Sequence, residues 1–82
     1  MKKRKLLKKI LNNQRNVKFL EIKLLLESMG FKLDRINGSH QIFVNKSINE
    51  IINIQDIGGM VKSYQVKQFL KLIEKYNLKL ED

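Results

Sequence analysis

The 82-residue chain has no cysteine and a single histidine, His40. The first absence removes any disulfide framework and any thiolate metal site. The second argues against a zinc centre built on histidines, so no metal and no cofactor is expected. No apolar run approaches the ~20 residues of a membrane helix, and no signal-peptide h-region is present. The expected location is the cytoplasm, with no membrane as partner. There is no internal repeat and no low-complexity segment. Acidic residues are missing from residues 1–15, which carry Lys2, Lys3, Arg4, Lys5, Lys8, Lys9 and Arg15.

The length fits one domain. A domain this small buries roughly 60% of its unfolded-chain surface, so its stability is marginal; a hydrophobic content of 43% still provides for a compact core. The net charge is +9, which suits an anionic partner. Most of that charge sits in the first fifteen residues, and the rest of the chain is close to balanced. Two parts follow: residues 1–15, a basic helix with its connector, and residues 16–82, a folded domain.

Residues 3–12 read as a short basic helix with Leu6, Leu7, Ile10 and Leu11 as an apolar stripe. Three readings fit it: a phosphate-contacting arm, a membrane-surface helix, or a solvated helix docking its stripe on the domain. Residues 12–16 break the pattern and connect. Residues 18–29 carry Phe19, Ile22, Leu25, Leu26 and Met29 at helical spacing, with no clear capping residue at the start and Gly30 as the stop. Phe31 to Ile36 alternates as a strand, with Phe31, Leu33 and Arg35 on one side. Asn37-Gly38 is the strongest short signal for a type I′ hairpin turn. The returning strand, 39–45, has His40, Ile42 and Val44 on one face and Gln41, Phe43 and Asn45 on the other. The first set is expected to face the helices. A third strand covers 51–55, residues 56–62 form a loop with a flexible glycine pair, and a last helix runs about 63–76. Ser63 is expected to cap that helix. Val66, Phe69, Leu70 and Ile73 form its apolar stripe, and Asn77 ends it. The expected fold is α+β: α-β-β-β-α with a three-stranded antiparallel sheet covered on one face by helices, the layout of a double-stranded-RNA-binding domain, preceded by a short basic helix.

Gly30-Phe31, then Arg35 through Gly38-Ser39-His40, then Ile54-Gln55, Gly59 and Tyr64-Gln65-Val66 stand in an order and spacing that resemble the HicA family of toxins from toxin–antitoxin pairs. The similarity covers about Val17 to Leu78. It implies a double-stranded-RNA-binding-like fold and an mRNA interferase, an endoribonuclease that cleaves mRNA without a metal. It also implies a HicB-type antitoxin that covers the active site. The family's catalytic histidine lies in Gly-Ser-His, which carries over to His40. Ser63 departs from the family, whose members often have proline there.

Read as residues alone, the same stretch supports that chemistry less sharply. RNA cleavage without a metal needs a base for the attacking 2′-hydroxyl and cations for the phosphoryl oxygens. Histidine is the residue type suited to either proton-transfer role, which makes His40 the candidate. Its second acid or base is another residue type, water or the leaving oxygen itself. Lys32 and Arg35 on the first strand, and Lys62 and Lys67 at the start of the last helix, are candidate RNA contacts; Tyr64 could stack on a base or donate a hydrogen bond. Asn37, Gly38 and Ser39 serve the turn, and Gly59 its loop. The plain alternatives are that His40 packs in the sheet and that these cations are solvated surface. Two other functions stay open: a non-catalytic RNA-binding module, and a domain that pairs with another protein through a strand edge.

Overall fold

The structure, a computed structural model, describes residues 3–81. In order they form α1 (Lys3–Asn12), β1 (Val17–Lys18), α2 (Phe19–Ser28), β2 (Lys32–Asn37), β3 (His40–Asn45), β4 (Glu50–Gln55), β5 (Met60–Val61) and α3 (Ser63–Tyr76). Strands β2, β3 and β4 pair antiparallel in that order, so the expected α-β-β-β-α arrangement is present. Its helix-facing side carries Phe43, Ile52 and Ile54, buried against Phe19, Ile22, Leu25 and Leu26 of α2 and Val66 and Phe69 of α3. Full burial of side chains of this size stabilises by about 1.5–3 kcal/mol each. The Phe19 and Phe43 rings meet at 6.4 Å between centroids, tilted by 41°.

Residues 56–62, expected to be loop throughout, contain a small strand. Gly58 and Gly59 both have positive φ, 58° and 87°, as a type I′ turn requires. Ile57 and Met60 exchange both backbone hydrogen bonds across them, each 3.0 Å. The chain then continues as β5, whose Val61 and Met60 pair with Val17 and Lys18 of β1. This two-stranded ribbon is too short to show as alternation in the sequence.

Helix α1 docks by half of its stripe. Leu6 and Ile10 are buried in the common core, while Leu11 is 56% exposed. Lys9 Nζ donates to Glu21 Oε2 at 3.0 Å. The other carboxylate oxygen, Oε1, accepts from the Lys18 backbone N–H at 3.0 Å. Glu21 therefore makes the return half of a capping box, accepting from the N-cap backbone N–H, while the Lys18 side chain makes no cap hydrogen bond. Partial burial pushes the Glu21 carboxyl up, but the Lys18 N–H and the Lys9 ammonium outweigh it and hold the group below its ordinary range.

Two asparagine contacts close the frame. Gly30 leaves α2 at φ 95°. Asn45, buried on β3, donates from Nδ2 to the Met29 carbonyl at 3.1 Å and accepts from Ser47 N–H at 3.0 Å. At the far end, Asn77 takes the left-handed conformation and ends α3 as expected.

Candidate active site

The β2–β3 hairpin positions His40, and its turn differs from the expected one. Asn37 pairs with His40, so the two turn residues are Gly38 and Ser39. Gly38 has φ 63° and neither Asn37 nor Ser39 has positive φ. That pattern fits a type II′ turn, which places glycine first. Asn37-Gly38 signals a hairpin correctly, but Gly38-Ser39 makes it.

The face assignment of β3 is reversed. Phe43 and Asn45 are buried, with Phe43 fully so, whereas His40 is exposed. Branched residues such as Ile42 and Val44 suit a pleated surface on either side of a sheet. The larger apolar ring of Phe43 packs on Phe19, and Asn45 lies on the buried side because its amide has partners there. His40 therefore stands on the open face of the sheet, not toward the helices as expected.

Arg35 changes face as well. Leu33 pairs with Phe43 and Arg35 with Ile42, which leaves Asp34 as an extra, unpaired residue. This β-bulge inverts the alternation after it. Without it Arg35 would share the buried side with Leu33; with it, Arg35 joins Ile42 and His40 on the open face. Ile42 lies two residues from His40, so Arg35 sits about 7 Å away along the strand direction. Its guanidinium bonds the neighbouring Asp34 carboxylate at 2.9 Å, both side chains being largely exposed. Such a pair contributes about 0–1 kcal/mol, so it leaves Arg35 free to bind an anion.

On β4, Gln55 faces His40 and Asn53 faces Ile42 across the strands. The His40 imidazole meets Asn53 through Nδ1 and Oδ1 at 3.2 Å. An amide oxygen only accepts, so this contact selects the tautomer with the proton on Nδ1 and leaves the Nε2 lone pair free. The arrangement provides a base whose ring is held from behind, next to an exposed cation. Gln55 Nε2 in turn donates to Ser39 Oγ at 3.0 Å, tying the turn to β4.

The other candidates are spread more widely. Lys32 pairs with Val44 at the opposite end of the sheet, about 13 Å from His40 along β3. Lys62, Tyr64 and Lys67 are exposed at the start of α3, and none is hydrogen-bonded to His40 among the described residues. Ser63 does not cap this helix. It is the first helical residue, and Lys62 occupies the N-cap with no side-chain bond. Gly59 serves its turn, as expected.

Gln65 connects the two regions, a role that residue reading did not assign. Its Oε1 accepts from the Gln55 N–H at 2.8 Å and its Nε2 donates to the Asn53 carbonyl at 3.0 Å. The side chain thus occupies the free edge of β4 as a short strand would, and fastens the start of α3 beside the strand that carries Asn53. Asn53 itself had no signal in the sequence, because its proximity to His40 depends on a register that only the folded sheet defines.

Within the described residues no helix is long and apolar enough to cross a membrane. No curated protein and no solved structure matches the chain. A family model described as the HicA toxin of bacterial toxin-antitoxin matches residues 21–74, from the first turn of α2 to the last turn of α3. That span takes in the hairpin, Asn53, Gln65 and all three strands of the main sheet, about two thirds of the sequence, and the chain belongs to the HicA family, toxins of bacterial toxin–antitoxin systems.

Proposed function

We propose that this toxin is an endoribonuclease that cleaves mRNA, with His40 as its general base. The observation that carries the reading is the His40–Asn53 contact at 3.2 Å on the open sheet face, which leaves Nε2 free and solvent-accessible. In the proposed step Nε2 takes the proton of a 2′-hydroxyl. The 2′-oxygen bonds to the adjacent phosphorus, the bond from phosphorus to the 5′-oxygen breaks, and the departing oxygen takes a proton from water. Arg35 donates to the phosphoryl oxygens as charge develops on them. Lys32, Lys62, Tyr64 and Lys67 hold the strand on either side. The reaction draws on no metal and proceeds in the presence of EDTA. The toxin acts on mRNA in the cytoplasm, stops translation, and is silenced by a HicB-type antitoxin that covers the open face.

Purified protein incubated with total RNA tests this. New RNA ends are expected, and His40→Ala removes them with the thermal unfolding transition unchanged, since an exposed imidazole contributes little to packing. Binding without new ends would make the protein a non-catalytic RNA-binding module.

A further inference from the structure

Helix α1 lies outside the residues that carry the family match, and its charge works against its own stability. No acid stands in its first turn, where Lys3, Arg4 and Lys5 oppose the helix dipole. Arg4 and Lys8, and Lys5 and Lys9, are like-charged pairs four residues apart, each destabilising by about 0.2–0.5 kcal/mol. Lys9 is offset by Glu21 and Lys3 donates to the Glu81 carbonyl. Arg4, Lys5 and Lys8 are exposed and, among the described residues, have no carboxylate partner. On a helix turning 100° per residue they point away from Leu6 and Ile10, the two residues that anchor α1 in the core.

We propose that Arg4, Lys5 and Lys8 form a second contact surface for the RNA substrate, gripping its phosphates away from the reacting bond. The inference rests on the ribonuclease reading for its substrate, and the chemistry of the surface favours RNA independently. A membrane-surface helix needs a broad free apolar face; here Leu6 and Ile10 are buried in the core, Leu7 packs partly against it, and Leu11 alone of the stripe is largely exposed. Protein interfaces are depleted in lysine and use buried aromatic or arginine anchors, whereas this face is cationic and exposed. Lysine and arginine without acids or specific pockets suit a uniform polyanion. His40 lies on the opposite side of the sheet from the helix layer, so the surface adds affinity and not chemistry.

The test uses the full chain carrying His40→Ala, so that RNA survives the measurement. Binding of a fluorescein-labelled single-stranded RNA oligonucleotide is followed by anisotropy across a salt series. In the Arg4→Gln/Lys5→Gln/Lys8→Gln variant the slope of log affinity against log salt should flatten by about 2, from about 0.7 per phosphate contact. At about 0.1 M salt that corresponds to roughly a hundredfold weaker binding. A charge-matched control, Lys23→Gln/Lys46→Gln/Lys79→Gln, should change the slope much less. In the catalytically intact chain the α1 variant should raise KM and leave kcat unchanged. An unchanged slope, an equal loss in the control, no RNA binding by the parent, or α1-dependent binding to anionic vesicles in place of RNA would each overturn the inference. Cleavage with an unchanged slope defeats only the α1 surface; an α1-dependent slope without cleavage defeats only the nuclease reading.

Discussion

Asn53 and His40 form a unit whose parts have separable effects. Asn53 touches Nδ1, the ring nitrogen that does not meet substrate in the proposed step, so its role in that proposal is to orient the base. Asn53→Ala leaves the imidazole free to rotate and to change tautomer; kcat should fall by about tenfold or more, within the 10²–10⁴ that a positioned base contributes. Asn53→Asp places an anion beside Nδ1, which favours the imidazolium. The rise of kcat/KM with pH should then move to higher pH, while an exposed position keeps the fold intact. A pH profile that stays in place in Asn53→Asp would remove Asn53 from the mechanism, because a purely structural residue has no reason to shift it.

Gln65 shows how one residue can join two elements. Strand β4 is an edge of the sheet, and its outward N–H and C=O at Gln55 and Asn53 need partners. The Gln65 amide supplies one acceptor and one donor, buried at 6% exposure. Gln65→Ala removes the partners of both part-buried backbone groups, a cost of about 0.5–1.5 kcal/mol for each hydrogen bond lost. Unfolding followed by circular dichroism should show Tm lower by at least about 4–8 °C. Gln65→Glu should be worse, since it keeps the acceptor, loses the donor and adds a buried charge. The bulge at Asp34 is a comparable device within one strand: a single extra residue decides which face Arg35 occupies.

Over the whole molecule, Glu21 ties the basic helix to the domain. Its carboxyl is held below the ordinary value of 4.5 in the fold. The stabilisation it provides is therefore fully present above that value and is lost as pH falls through the lower folded value. Glu21→Ala should cost about 1 kcal/mol at neutral pH, mainly through the capping contact to Lys18. Urea unfolding at decreasing pH should show the difference between parent and variant shrinking below pH 4.5. Added salt should remove only the smaller share contributed by Lys9, whose side chain is 63% exposed. A difference that stays constant into acid would mean that the carboxylate charge has no part in the contact.

The order of the three helices and the three strands of the main sheet, the helix stops at Gly30 and Asn77, the hairpin and its histidine were legible in the sequence, because each depends on local rules: apolar spacing, a left-handed residue, a short turn; the short β1–β5 ribbon was not. Gly-Ser-His and Tyr-Gln-Val carried the family for the same reason, as fixed residues at short spacing. Which way each strand faces was not legible. Alternation defines two faces without saying which is buried, and that choice was made by Phe43 on Phe19 and by Asn45 finding partners at the end of α2. The bulge then moved Arg35 across the sheet, and the register brought Asn53 to His40. Such contacts join residues far apart in the chain, so their geometry exists only once the sheet has paired and the core has closed. The sequence alone determined that a histidine would stand at a hairpin in a basic α+β domain. Tertiary packing decided that it stands in the open, backed by Asn53, on the face that Arg35 shares.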